Sequence, residues 1–84
     1  MFLPDSRSLK DKRQVLNSLK ERIRNRFNIA VAEVDFADLW QRSTVGLAVV
    51  SSATSHAEEV MSKAIDFIER DGRVQLVDVH VEPR

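Results

Sequence analysis

The chain has 84 residues, enough for one domain that buries roughly 60% of the surface its unfolded form exposes. Hydrophobic residues make up 43% and charged residues 31%, a globular and soluble composition, and the absence of cysteine excludes disulfides, thiol nucleophiles and zinc–thiolate sites and fits a reducing cytosol. The formal net charge of zero hides an asymmetry: residues 7–26 carry eight basic side chains against Asp11 and Glu21, whereas residues 27–84 carry ten acidic against five basic. A domain polarised in this way attracts a polyanion at one surface while its total charge stays neutral.

Met1 to Arg7 is a turn-like lead with Pro4 and Asp5. MFLPDSRS lacks the basic-then-apolar layout of a signal peptide, and no apolar run approaches a membrane span. The expected location is therefore cytoplasmic, with no membrane partner.

A first helix is predicted from Leu9 to Arg26. At about 100° per residue, Leu9, Val15, Leu16, Leu19, Ile23 and Phe27 fall within one arc of about 120°, and Lys10, Arg13, Lys20 and Arg24 on a second arc beside it. Ser8 is placed to cap the helix, with Asp11 in its first turn. Lys12 and Arg26 lie inside the apolar arc near its ends, where their long stems are expected to lie on the core and carry the charges outward.

Ile29 to Phe36 alternates as a strand, with Ala30, Ala32, Val34 and Phe36 on one face and Ile29, Val31, Glu33 and Asp35 on the other. Ala37 to Ser43 is the connection and holds the only tryptophan, Trp40. Thr44 to Ser51 reads as a second strand, apolar on both faces and hence expected to be central. Gly46 within it marks a bulge or a close backbone approach. A second helix is expected over His56 to Arg70, with Ser55 and Glu58 at capping-box spacing, Glu59–Lys63 and Asp66–Arg70 as ion pairs, and Gly72 as its stop. Val74 to Glu82 is the cleanest alternation of all, Val77, Val79 and Val81 against Asp78, His80 and Glu82. The order α-β-β-α-β predicts an α+β two-layer sandwich, two helices on one face of a mostly antiparallel sheet. One further strand at the front would make it ferredoxin-like.

The run AEVDFADLWQRSTVGLAVVS, with SLKDKR at residues 8–13 and LVDV at residues 76–79, resembles the YlxP-like family of small bacterial proteins, over nearly the whole chain. The pattern shared there is S-L-K-x-K-R, then A-E-V-D-x-x-D-L-W-Q-R, then L-V-D-V. The resemblance implies a ferredoxin-like fold and, from the genes that neighbour family members, a translation or ribosome-maturation context. It carries no catalytic residues. The family's first strand is central in that plan, yet only Met1, Phe2 and Leu3 precede Pro4 here. The first strand is thus expected to be truncated or missing, or its residues lie outside this sequence, and the sheet is expected to be completed between chains or to collapse to three strands.

Three constellations are candidates for function. The first is the basic flank of Arg7, Lys10, Arg13, Lys20 and Arg24, with Asn17 in the same row, suited to RNA phosphates or equally to a solvated helix face. The second is Trp40, Gln41 and Arg42, either an interface anchor or a cap over the end of a small core, with Arg42 paired to Asp38 or Asp35. The third gathers Glu33, Asp35, Asp78, His80 and Glu82 on the outward sheet face, a carboxylate–histidine group that alternation alone also produces. His56-Ala57-Glu58 resembles a deaminase fragment, but without cysteine its zinc site cannot be built. No phosphate-binding glycine loop or nucleophile elbow occurs. The sequence therefore predicts a non-catalytic protein without cofactor or metal, binding RNA or a ribosomal subunit. The alternative is a self-associating module, and a dimer is compatible with both.

Overall fold

The computed structural model describes residues 1–82. It contains α1 (Leu9–Arg26), β1 (Ala30–Asp35), β2 (Thr44–Ala48) and α2 (Thr54–Glu69), with β1 and β2 forming a two-stranded antiparallel sheet. Helix α1 has the predicted bounds, and the Ser8 hydroxyl accepts the Asp11 amide as its N-cap. Helix α2 begins two residues earlier than expected, at an uncapped Ala53, so no capping box forms at Ser55. The Glu59–Lys63 pair is present at 2.8 Å; no Asp66–Arg70 pair forms among the described residues. Gly72 does not adopt a left-handed backbone, and α2 closes instead through the Arg70 and Asp71 amides.

Both helices cover the same sheet face. Leu16, Leu19 and Ile23 of α1 and Ala64 and Ile68 of α2 form one core with Leu3, Ile29, Val31 and Val74. Val31 pairs with Leu47 and Glu33 with Val45, so these four side chains share the inner face. Glu33 therefore points at the helices rather than outward as a member of the carboxylate–histidine group. A bulge between Glu33 and Asp35 then leaves Val34 extra, on the outer face. Gly46 sits beneath it: a Cβ there would stand 3.3 Å from Val34 Cγ1, which is the close approach the glycine allows.

The N-terminal residues occupy the middle of the sheet. Met1 and Ser43 exchange backbone hydrogen bonds at 2.6 and 3.1 Å, and the Leu3 amide reaches the Gln41 carbonyl. On the other side Phe2 exchanges two bonds of 2.7 Å with Gln75. Met1–Leu3 thus lies between the lead into β2 and the C-terminal segment, antiparallel to both. The pairing stops there.

Two expectations are corrected as a result. Val74–Glu82, the clearest predicted strand, has its one strand bridge among the described residues at Gln75, and Val77, Val79 and Val81 are 72%, 47% and 53% exposed. β2 is not flanked along its length, for beyond Ser43 its second edge faces open space. Alternation prepares a segment to be a strand, but the ladder requires a neighbour, and among the described residues only Phe2 supplies one. The two flanking segments do not close on each other. They leave a slot of about 540 Å³, floored by Met61 and Ile65 of α2 and walled by Val45 and Leu47 on one side and residues 76–82 on the other.

Candidate nucleic-acid interface

Helix α1 sorts its cations into three groups. Lys12 is 1% exposed and turned fully inward. Its Nζ lies 2.8 Å from Glu33 Oε2 and donates to the Phe36 carbonyl at 2.6 Å, while the Ser43 hydroxyl donates to the same Glu33 oxygen at 2.6 Å. The expectation that Lys12 carries its charge to water is thus wrong, because Glu33 occupies the inner register and supplies the counter-charge. Burial would raise the Glu33 carboxyl, but the Lys12 and Ser43 donors outweigh it and hold it below its ordinary value.

Arg22 and Arg26 belong to the α2 side. Arg22 stacks over Phe67 at 5.1 Å and lies 3.6 Å from Asp71; Arg26 stacks over Phe67 at 5.4 Å and Phe27 at 5.9 Å. Asp71 also takes the Arg73 guanidinium at 2.7 Å, and this, ahead of burial, keeps its carboxyl below the ordinary range. Arg73 extends within 3.4 Å of Ser18 Oγ, tying the turn after α2 back to α1.

The third group is the predicted row. Arg7, Lys10, Arg13 and Asn17 are exposed, Lys20 is partly covered, and Arg24 is exposed while its guanidinium donates to the Val31 carbonyl at 2.9 Å. Among the described residues none of these cations is paired to a carboxylate side chain. From Lys10 to Arg24 the row runs about 21 Å at 1.5 Å per residue. Arg24 contributes less than its sequence position suggests, because it covers the outer edge of β1 and is partly committed there.

Trp40, Gln41 and Arg42 do not act together. Trp40 is 55% exposed, so it does not cap the core. Gln41 donates its amide to the Pro4 and Ser6 carbonyls at 3.2 and 3.1 Å and fixes the entry to α1. Arg42 lies 4.9 Å over the Phe36 ring rather than against Asp35 or Asp38. Val34, Phe36 and Leu39 are exposed as well, Val34 in β1 and the other two with Trp40 in the connection that follows it. His80 pairs with Glu82 at 2.9 Å, and among the described residues no three histidine or carboxylate groups converge as a metal site.

The buried Lys12–Glu33–Ser43 cluster was not anticipated. Its signal was two opposite charges standing in buried registers, Lys12 within the apolar arc of its helix and Glu33 in phase with Ile29 and Val31. The family model described as protein of unknown function (DUF503) matches residues 1–81. The chain belongs to this family. A relative, the uncharacterized protein YlxP of Bacillus subtilis (strain 168), is 38% identical over 65 residues, covering 77% of this chain and 71% of the relative. Lys12, Glu33 and Gln41, three residues of the pattern quoted for this family, are those that bind helix, strand and N-terminal turn together here. No helix among the described residues is long and apolar enough to cross a membrane.

Proposed function

We propose that this protein is a non-catalytic RNA- or ribosome-associated binding protein of bacterial translation or ribosome maturation, acting in the cytoplasm through the open flank of α1. The observation that carries this reading is the row Lys10, Arg13 and Lys20, with Arg7 just ahead of the helix: among the described residues these cations have no carboxylate side-chain partner, whereas the other basic residues of α1 are all engaged. A helix holds such charges at fixed separations, which suits contact with phosphates and requires no base-specific contact. The position of Met1–Leu3, between the lead into β2 and the C-terminal segment, also supports a ferredoxin-like plan with these residues in the place of its first strand.

The test is co-sedimentation with small ribosomal subunits and RNA binding across a salt series. Four phosphate contacts to single-stranded RNA predict a log–log salt slope of about −3. The double substitution Arg13→Glu/Lys20→Glu is expected to abolish binding while leaving the fold intact. Binding that is absent, or indifferent to salt, overturns the reading.

A second reading, self-association, is favoured by exposed apolar side chains: Val34 on the outer sheet face, Phe36, Leu39 and Trp40 in the connection after β1, and Val77, Val79 and Val81 in the C-terminal segment.

A further inference from the structure

We propose that the groove between α1 and α2 stacks bases of single-stranded RNA on the guanidinium planes of Arg22 and Arg26. This rests on the reading of RNA as the partner, and adds to the phosphate contacts of the row a second surface on the opposite flank of α1. The groove, of about 990 Å³, lies between the last turns of α1 and the side of α2. Val60, Phe67 and Phe27 are half-buried along its floor, and the two rings meet edge to face at 5.8 Å. Arg22 and Arg26 stand on the α1 side. Lys63 and Arg70 stand on the α2 side, both exposed and seven residues apart, about two turns, so that they share one strip of that helix.

Arginine binds through a flat face and through an edge of N–H donors. Here the phenyl rings engage one face and leave the rest unused. Both guanidiniums lie over the Phe67 ring, at 5.1 and 5.4 Å, and Arg26 reaches the Phe27 ring as well. Among the described residues neither donates a hydrogen bond, and Arg26 has no carboxylate partner. Asp71 lies 3.6 Å from Arg22, beyond hydrogen-bond length, and is already held by Arg73 at 2.7 Å. Stacking therefore fixes the two groups in place without consuming their donors. The Arg22 side chain is 56% exposed and Arg26 is exposed as well. A guanidinium supported on one face by a phenyl ring offers its other face to a second flat ring. The occupant that fits is flat, to use those faces, and anionic, to suit cations on both walls. An acidic peptide supplies carboxylates and no plane, and a duplex keeps its bases stacked within itself. A single strand presents phosphates and unpaired bases together, and the groove has room for a base with its sugar and phosphate.

The experiment compares binding of a short oligouridylate with that of an abasic strand of equal length, which carries the same phosphates without rings. Oligouridylate is expected to bind about tenfold tighter, the scale of one stacked base. Arg22→Lys/Arg26→Lys keeps both charges and removes both planes. It should bring oligouridylate down to the level of the abasic strand and leave abasic binding unchanged, with unchanged circular dichroism. Lys63→Gln/Arg70→Gln removes charge alone and should weaken both strands alike. In the wild-type protein the Arg22 and Arg26 side-chain N–H resonances should shift with oligouridylate and much less with the abasic strand, a readout that needs no variant to fold. Equal binding of the two strands by the wild type overturns the proposal, as does a lysine variant that keeps the full preference for oligouridylate. So does oligoglutamate that shifts the same resonances as oligouridylate does, which would assign the groove to an acidic peptide. The row and the groove fail separately. If Arg13→Glu/Lys20→Glu binds like wild type and the preference for oligouridylate persists, the row is lost and the groove stands. If that variant loses binding and the wild type does not distinguish the two strands, the groove alone is lost. No binding of either strand overturns both.

Discussion

The two ends of the sheet obey opposite rules. At the α1 corner, the buried Lys12 ammonium, the Glu33 carboxylate and the Ser43 hydroxyl tie helix and both strands together with contacts of 2.6 to 2.8 Å. At the far end, residues 74–82 alternate as regularly as any strand, yet among the described residues their one strand bridge is at Gln75, and Val77, Val79 and Val81 are exposed. A residue of unfavourable type is held firmly at one end, and residues of favourable type are left loose at the other. Local pattern sets what a segment is suited to, whereas a spatial neighbour decides whether it is used.

The contrast can be broken most severely at Lys12. Lys12→Met leaves Glu33 without its counter-charge and is expected to cost about 3–5 kcal/mol, read as a fall in the urea midpoint. Lys12→Met/Glu33→Leu should recover a good part of that loss, since removing both charges removes the unpaired one. Acid comes next. Glu33 and Asp71 titrate below their ordinary values in the folded chain, Glu33 because Lys12 and Ser43 outweigh its burial and Asp71 because of Arg73. The unfolded chain therefore takes up protons first. The stability these groups contribute is complete above the ordinary carboxylate range of about 4 and is lost as pH falls through their depressed folded values. Chemical denaturation at a series of acid pH values should show Glu33→Gln with a shallower slope than wild type. A smaller effect is expected at the start of α1, where Ser8→Ala removes the cap on the Asp11 amide and should cost about 1 kcal/mol. The smallest belongs to the loose end: Val77→Thr in the monomer should change stability by less than about 0.5 kcal/mol. A large loss there would mean that the segment is covered within its own chain, and the comparison would fail.

Much of the architecture was legible because it is local. The bounds and cap of α1, the pairing of two strands and the position of α2 follow from periodicity and polar punctuation within a few residues. Lys12 was misread because the helical arc gave its position correctly while the usual habit of lysine argued it outward. Only the strand register, which puts Glu33 beneath it, reverses that habit. The core-capping role of Trp40 failed for a related reason, since its loop is steered by contacts from residues far away in sequence, Pro4 and Ser6 through Gln41. The bulge at Val34 leaves no composition signal at all. In the basic row the exposure of Arg7, Lys10 and Arg13 was readable from the helix alone, but the commitment of Arg24 to the Val31 carbonyl was not.

Phe36 has a backbone φ of 60°, a conformation that an aromatic residue adopts at some cost, and its carbonyl is the one that Lys12 holds. The direction in which the chain leaves β1 toward Trp40 is accordingly latched by an ammonium group on another element. The indole, four residues downstream and open to water, becomes an optical gauge of a charge pair it does not touch: loosening the latch changes its emission before the domain as a whole comes apart.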